Sequence, residues 1–198
     1  MSQMYYAKNP DAAHDIYELQ VNLLGTAFRF LTDAGVFSKR SIDFGTQFLL
    51  ETLDFSTAPA GDLLDVGCGY GPIGITLAKT AKRSVLMVDI NQRAVDLAKK
   101  NIVNNHVENI IVKQSNLFEN IEGEFIGVIS NPPIRAGKRV VHEILEKSFE
   151  YLLSEGTLTI VIQKKQGAKS AKAKMIEVFG NVNVLAKKKG YYILQSQK

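Results

Sequence analysis

The stretch that decides the fold reads Asp62-Leu63-Leu64-Asp65-Val66-Gly67-Cys68-Gly69-Tyr70-Gly71-Pro72-Ile73-Gly74. A short apolar segment surrounds the carboxylate of Asp65, glycine follows at every second position from Gly67 to Gly71, and a helical pattern then begins. This order predicts a buried strand that runs into a tight turn at the N-terminus of a helix. Because glycine has no side chain, such a turn leaves its backbone N–H groups open to a ligand.

Two further apolar segments end in polar residues. The segment 85–88 is followed by Asp89, and the segment 125–130 is followed by Asn131-Pro132-Pro133-Ile134. An acid at the tip of the strand after a glycine turn is where nucleotide-binding βαβ units hold a ribose diol. The run 69–74 also satisfies the pattern G-x-G-x-x-G, so a dinucleotide-dependent dehydrogenase stays open as an alternative. Neither Asp65 nor the Asn-Pro-Pro run belongs to that pattern.

Taken together, these motifs resemble those of the class I S-adenosylmethionine-dependent methyltransferases. The run from Asn131 to Lys138 is similar to the RsmC type, the 16S ribosomal RNA guanine-N2 methyltransferase family, in its small-domain form. The resemblance extends from about Val36 to the C-terminus. It implies S-adenosylmethionine as the cofactor, and ribosomal RNA or the small ribosomal subunit as the partner.

Alternating strand and helix patterns predict an α/β fold with a parallel sheet covered on both faces. The predicted fold is a doubly wound, mostly parallel seven-stranded sheet with a C-terminal antiparallel hairpin, the Rossmann-like methyltransferase fold. Asp43 is predicted to cap a helix over residues 44–53. The other predicted elements are strands 62–67, 84–89, 109–114, 125–130 and 157–162, helices 72–80, 92–104, 139–153 and 166–179, and a hairpin over 182–195.

Upstream of this pattern, alternating apolar residues from Ile16 to Leu31, interrupted at Gly25, predict a β-hairpin with one buried face. We therefore divide the chain into an N-terminal arm and hairpin appendage, residues 1–35, and a methyltransferase domain, residues 36–198. The hairpin fits two roles equally: a flap that docks the substrate, or a lid that covers an apolar surface.

The cofactor site is predicted at the glycine turn and the next strand tips. Asp65 is expected to stabilise the cofactor's positive charge directly or through water, and Asp89 to accept both ribose hydroxyls. The backbone at the three glycines would approach the methionine carboxylate. Ile90 would offer adenine an apolar face. The resemblance adds Asn116 and Leu117 at the adenine, and Phe37, Ser38, Gly45 and Thr46 near the methionine end of the cofactor or the incoming base. The predicted cofactor-binding residues are Asp65, Gly67, Gly69, Gly71, Asp89, Ile90, Asn116, Leu117, Gly45 and Thr46.

The catalytic residues are predicted at Asn131, Pro132, Pro133 and Ile134. An exocyclic amine on a base is a poor nucleophile because its lone pair is delocalised into the ring. The side-chain oxygen of Asn131 and the carbonyl of Pro132 can accept both amine hydrogens, and two successive prolines make the turn rigid. A protein glutamine-N5 methyltransferase uses the same logic and stays open, as does a catalytically silent, cofactor-binding RNA-binding module.

Substrate-binding residues are predicted on either side of this motif. Ile134 offers dispersion but no π-face, so Phe37 or Arg135 is expected to stack on the base. Arg135, Lys138 and Arg139 would place three cations at the start of a helix, which is unfavourable for the helix dipole. We therefore expect them to bind the RNA backbone.

Composition limits the remaining possibilities. The chain of 198 residues carries 24 Lys and Arg against 20 Asp and Glu, a net charge of +4. Nine lysines but a single acid, Glu177, lie between residues 164 and 198, which fits either a solvated surface or a polyanionic partner. No apolar run approaches the roughly 20 residues of a membrane span. The single cysteine and the absence of a signal-like N-terminus predict a cytoplasmic protein without membrane attachment. The three histidines are scattered, so no metal site is expected.

Overall fold

The computed structural model of the chain describes residue 8 and residues 13–198. Most of the predicted N-terminal arm lies outside the described residues. The elements follow in the order β1 (Tyr17–Leu23), β2 (Thr26–Thr32), α1 (Phe44–Thr52), β3 (Leu63–Val66), α2 (Pro72–Thr80), β4 (Val85–Asp89), α3 (Gln92–Asn104), β5 (Ile110–Gln114), β6 (Phe125–Ser130), α4 (Lys138–Ser148), β7 (Leu152–Gln163), α5 (Ala168–Phe179), β8 (Asn183–Lys188) and β9 (Tyr191–Gln197).

Seven of these strands form one sheet in the order β5-β4-β3-β6-β7-β9-β8. Strands β3 to β7 run parallel, whereas β9 lies antiparallel between β7 and β8. The predicted fold class, including the C-terminal antiparallel hairpin, is confirmed. The chain reverses its direction of winding between β3 and β6, and in doubly wound sheets ligands bind outside the carboxyl ends of the strands at such a point.

Helices cover both faces of the sheet, as its buried parallel strands require. Successive residues of β3 illustrate this, because a strand points alternate side chains to opposite faces. Leu63 packs in the cluster that contains residues of α1, α2 and α3, whereas Leu64 and Val66 pack in the cluster that contains residues of α4 and α5. Every side chain of β3 is buried. The strand therefore lies in the core, directly before the glycine turn that follows it.

Strands β1 and β2 form the predicted hairpin as a separate two-stranded sheet. Leu24 and Gly25 join them, and both have positive φ, 50° and 77°, as the two-residue turns that suit the twist of a hairpin require. The buried face carries Phe28 and Phe30, and the ring of Phe30 meets that of Tyr70 edge to face at 5.9 Å. The hairpin thus covers α3 and the glycine turn. Its role as a docking flap stays a prediction.

Asn101 of α3 and Asn105, the residue directly after this helix, bind the free edge of β2. Asn101 accepts a hydrogen bond from the backbone N–H of Leu31 at 2.6 Å and donates to the carbonyls of Leu31 and Tyr70. One helical turn later, Asn105 bonds the N–H and carbonyl of Arg29 in the same way. Side-chain amides at this spacing replace a neighbouring strand, because they supply one donor and one acceptor to alternate residues of β2.

The predicted helix over residues 139–153 is wrong at its C-terminal end. Helix α4 ends at Ser148, and residues 152–156 belong to a twelve-residue strand instead of the predicted six-residue one. The reason is a requirement of the neighbouring strand. The N–H of Phe125 bonds to the carbonyl of Tyr151, and Leu152 pairs with Phe125 ahead of an irregularity in register. These backbone bonds extend β7 beyond its regular segment.

The predicted group of three cations at one helix start is also corrected. Arg135 lies in a separate 3-10 turn, Ile134–Ala136, and Gly137 with φ of 101° divides that turn from α4. Of the three cations, Lys138 and Arg139 lie at the first turn of the helix.

Among the residues that the structure describes, no helix is long and apolar enough to cross a membrane.

Candidate functional site

A cavity lies at the carboxyl ends of β3, β4, β5 and β6, at the point where the winding reverses. The glycine turn and the segment between the N-terminal hairpin and α1 both line this cavity. The loop after β5 and the Asn-Pro-Pro turn after β6 also line it. The lining residues used below are Phe37, Ser38, Asp43, Thr46, Gly67, Gly69, Asp89, Ile90, Asn116, Leu117, Asn131, Pro132 and Pro133.

The glycine turn has room for a ligand at two positions. Gly67 and Gly69 have φ of 75° and 57°. A Cβ atom added at Gly69 would meet no atom within 4 Å, and one added at Gly67 would meet only Pro133 at 4.0 Å. Gly71 instead precedes α2 and lies outside the lining, where an added Cβ would approach Ile75 at 2.7 Å. The bare backbone thus faces open space where a bound group could lie against it.

Asp89 fixes this turn from the tip of β4. One carboxylate oxygen accepts from the N–H of Gly69 and the other from the N–H of Asn91, each at 2.8 Å. Burial raises the pKa of Asp89 above its usual value, more than its backbone hydrogen bonds lower it. The backbone N–H of Ile90 also interacts with this carboxylate, and a carboxylate has about four lone-pair sites, so part of its accepting capacity is left. The predicted contact with a ribose diol is therefore compatible with the bonds already made.

Asp65 lies behind the glycine turn, away from the cavity lining. Its side chain is completely buried, and one oxygen accepts from the N–H of Gly74 at 2.9 Å. The other oxygen has no hydrogen-bond partner among the described residues. Burial raises the pKa of Asp65 to about 7, opposed by the Gly74 hydrogen bond and supported by the charge of Asp89. Asp65 does not line the cavity, so this position shows no direct contact with a ligand there. Its predicted role toward the cofactor, directly or through water, stays a prediction.

The loop after β5 brings Ser115, Asn116 and Leu117 to the cavity. Asn116 is exposed, and its amide nitrogen donates to Glu119 at 2.7 Å, so its oxygen is left for another donor. Leu117 adopts a φ of 52°, a left-handed conformation that is uncommon outside glycine. The hydroxyl of Ser115 bonds the Leu117 carbonyl at 2.9 Å and so holds this conformation. The two predicted adenine-binding residues thus lie beside Asp89 and Ile90.

Asn131 and the two prolines line the cavity directly after the end of β6. The hydroxyl of Ser130 donates to the carbonyl of Val66 at 2.7 Å and fixes the end of β6 against that of β3. The amide nitrogen of Asn131 donates to Thr46 at 3.0 Å and to both carboxylate oxygens of Asp43, at 3.4 and 3.3 Å. A carboxylate can only accept, so this contact dictates the orientation of the amide. The oxygen of Asn131 is the end left for a ligand.

Some predicted site residues lie elsewhere. Gly45 is buried outside the lining, where an added Cβ would meet Asp43 and Tyr191 at 3.0 and 3.1 Å. Ile134 packs against the core on the α4 and α5 side and does not line the cavity. Arg135, Lys138 and Arg139 are exposed outside it. Phe37, by contrast, lies at the cavity with 41% of its surface exposed.

Sequence reasoning missed the second role of Asp43. The prediction of a helix cap is confirmed, since its carboxylate accepts from the N–H groups of Gly45 and Thr46. The same carboxylate also holds Asn131, a contact between residues 88 positions apart. No pattern in the sequence indicates such a contact.

The thiol of Cys68 has its pKa raised by burial, so the turn holds it as an unreactive small side chain. Among the described residues no group of three or more His, Cys, Asp or Glu could hold a metal ion.

This topology and this cavity define the class of protein: a class I S-adenosylmethionine-dependent methyltransferase. The chain belongs to the family described as the methyltransferase small domain, whose model matches residues 27–195. The recognition of an RsmC-like sequence and of its cofactor is confirmed at this level.

Several relatives support the assignment. A protein of Bacillus subtilis, the uncharacterized protein YbxB, is 46% identical over the whole length of both chains. The Aeromonas hydrophila ribosomal RNA small subunit methyltransferase C is 38% identical over 69% of this chain and 40% of its own length. The solved structure of the T. thermophilus 16S rRNA N2 G1207 methyltransferase RsmC, in complex with AdoMet and guanosine, has a TM-score of 0.84 at 23% identity. That match covers 92% of this chain and 50% of the T. thermophilus chain. The chain thus spans half or less of the RsmC proteins it matches.

Proposed function

We propose that this chain transfers a methyl group from S-adenosylmethionine to an exocyclic amino group, the N2 of a guanine in the ribosomal RNA of the small subunit. The observation that carries the amine chemistry is the orientation of Asn131. Its amide nitrogen is held by Asp43, so its oxygen is the end left for a ligand in the cavity that the glycine turn also lines. The guanine and the ribosomal RNA are supported by the similarity to the RsmC proteins.

The residues present fit the cofactor. Backbone without side chains at Gly67 and Gly69 leaves space that a Cβ would fill, and Asp89 offers acceptors for a diol. Asn116 and Leu117 would border the adenine, Ile90 would cover one of its faces, and Thr46 would lie near the methionine end. When bound, S-adenosylmethionine supplies an electrophilic methyl group on a positively charged sulfur.

The protein's part in the chemistry is to hold and orient the amine. The oxygen of Asn131 and the carbonyl of Pro132 accept the two amine hydrogens, which directs the nitrogen lone pair away from the ring plane. Pro132 is buried and Pro133 follows it, so the turn does not yield when the substrate enters. Positioning of this kind is a main source of rate enhancement. The bound cofactor would supply the methyl group, and the surplus proton on the nitrogen would pass to water, so no residue of the chain has to act as a general base.

The base needs a stacking partner, and Phe37 meets this need better than Arg135. Phe37 lines the cavity and is half-exposed, whereas Arg135 lies outside it. A flipped-out or single-stranded guanine would reach the cavity with its backbone outside. Arg135, Lys138 and Arg139 are exposed just beyond Pro133 and would meet the flanking phosphates. Such a substrate would be met in the cytoplasm.

The test is transfer of a radioactive methyl group from S-adenosylmethionine. Purified small subunits, naked 16S ribosomal RNA and total ribosomal protein are offered separately, and nuclease digestion identifies the modified nucleoside. We expect label in N2-methylguanosine. Label in protein alone would replace this proposal with methylation of a glutamine amide. Tight cofactor binding without transfer to any substrate would favour a silent RNA-binding module. Asn131→Ala should abolish transfer while leaving the cofactor affinity, measured by calorimetry, within about twofold of wild type.

A further inference from the structure

Asp43 contacts two elements that are far apart in the chain. Its first carboxylate oxygen accepts from the N–H of Gly45 at 2.9 Å and of Thr46 at 3.2 Å, which caps α1. The carboxylate also accepts from the amide nitrogen of Asn131 at the end of β6. The second oxygen, 3.3 Å from that nitrogen, makes no hydrogen bond to the cap. One side chain therefore fixes the start of the helix and the polarity of the Asn131 amide.

The polarity follows from the chemistry of the partners. If the Asn131 amide were reversed, its oxygen would lie about 3.3 Å from a carboxylate oxygen, and two acceptors would repel each other. Hydrogen bonds to an ionised acceptor are roughly twice as strong as neutral ones. The hydroxyl of Thr46, the other partner at 3.0 Å, can donate or accept and so selects neither orientation. Of these two partners of the amide nitrogen, Asp43 is the one that selects the orientation.

We propose that Asp43 is a positioning residue that keeps the oxygen of Asn131 facing the substrate amine. The inference rests on the proposed function, because it concerns which end of the amide the amine meets. Asp43 acts through Asn131: its charge holds the amide nitrogen, and the oxygen on the other end accepts the hydrogen of the amine.

A single substitution separates this role from that of the cap. Asp43→Asn preserves the cap, because asparagine is as good an N-cap residue as aspartate. Its oxygen would face the N–H groups of Gly45 and Thr46, so its nitrogen would face the nitrogen of Asn131. Two donors repel, and the Asn131 amide turns over. We expect kcat to fall about 100-fold, comparable to the loss of one transition-state hydrogen-bonding group in other enzymes. The cofactor affinity and the melting temperature should stay near those of wild type.

A double variant that exchanges the carboxylate at position 43 with the amide at position 131 tests the inference most directly. In the double variant Asp43→Asn with Asn131→Asp, the new amide donates to the new carboxylate, whose other oxygen faces the substrate. Activity should recover at least about tenfold over Asp43→Asn alone. Asn131→Asp by itself places two carboxylates about 3.3 Å apart and should be less active than the double variant. Asp54→Asn is the matched control, since exposed Asp54 accepts from the N–H of Ser56 and does not line the cavity.

A second readout separates this inference from the proposed function. In ¹⁵N-labelled protein the Asn131 side-chain NH₂ signals, assigned by their loss in Asn131→Asp, should shift upfield in Asp43→Asn and stay unchanged in Asp54→Asn. If wild type methylates no RNA and the signals shift, the proposed function fails while the amide orientation stands. Unchanged signals, a wild-type kcat in Asp43→Asn, or a double variant no better than Asp43→Asn would each overturn the inference.

Discussion

The buried carboxyl group of Asp65 should make the stability of the fold depend on pH. Its pKa in the native chain is about 7, whereas an aspartate in an unfolded chain has a pKa of about 4. Between these values the native chain binds more protons than the unfolded chain. The neutral carboxyl group therefore favours the native state fully below about pH 4, and that contribution is lost as the pH rises through about 7.

The size of the effect follows from the gap between the two pKa values. One pKa unit corresponds to about 1.4 kcal/mol, so a gap of about three units gives about 4 kcal/mol at most. Asp65→Asn has nearly the same shape, keeps an oxygen for the N–H of Gly74 and cannot ionise. The free energy of unfolding of the variant relative to wild type should therefore rise with pH, by about 4 kcal/mol at most, between about pH 4 and about pH 8.

Urea denaturation of the cofactor-free protein, followed by circular dichroism at constant ionic strength, measures this difference. Asp89 also has a raised pKa and interacts with Asp65 through its charge, so the measured difference includes any change in the titration of Asp89. A difference in unfolding free energy that is the same at about pH 5 and about pH 8 would show that Asp65 is already ionised in the native state.

Four further predictions concern the glycine turn, the helix after it, the hairpin and the base. Gly69→Ala should fold but bind the cofactor at least about tenfold more weakly by calorimetry, since its methyl group enters the open cavity. Gly74→Ala should instead lose about 1–3 kcal/mol of stability in urea, because its Cβ would lie 2.4 Å from the sulfur of Met87. Asn101→Ala leaves one N–H and two carbonyls without their partner and should lower the unfolding free energy by about 3 kcal/mol or more. Phe37→Ala should raise the KM for RNA about 5- to 150-fold, the equivalent of about 1–3 kcal/mol of stacking, at unchanged cofactor affinity.

The main fold was predictable from the sequence because its signals are local. Alternating strand and helix patterns indicate the parallel sheet, and the glycines after Val66 indicate the turn. The end of α4 was not predictable, because it depends on a hydrogen bond with another strand. The backbone N–H of Phe125 in β6 bonds to the carbonyl of Tyr151, just after the helix. Likewise, Gly137 separates Arg135 from α4 through its backbone conformation, which the run of cations does not reveal.

The candidate site was predictable to the extent that it follows from strand tips. Asp89 and Asn131 both end strands of one parallel sheet, and the structure brings both to one cavity. Asp65 also belongs to such a strand, but its side chain points under the turn, because strand residues alternate between faces. The contact between Asp43 and Asn131 joins segments whose proximity arises only from tertiary packing. A helix cap alone accounts for an aspartate at that position, so its second partner leaves no mark on the sequence.

One nitrogen atom of Asn101 connects the hairpin to the glycine turn. It donates to the carbonyl of Leu31 in β2 and to that of Tyr70 in the turn, so one side-chain amide binds both segments. Neither can shift without stretching its bond to the other. A small molecule that immobilises the turn should therefore reduce local opening of the hairpin without contacting it. Slower amide hydrogen exchange in β2 upon addition of the cofactor would demonstrate this coupling.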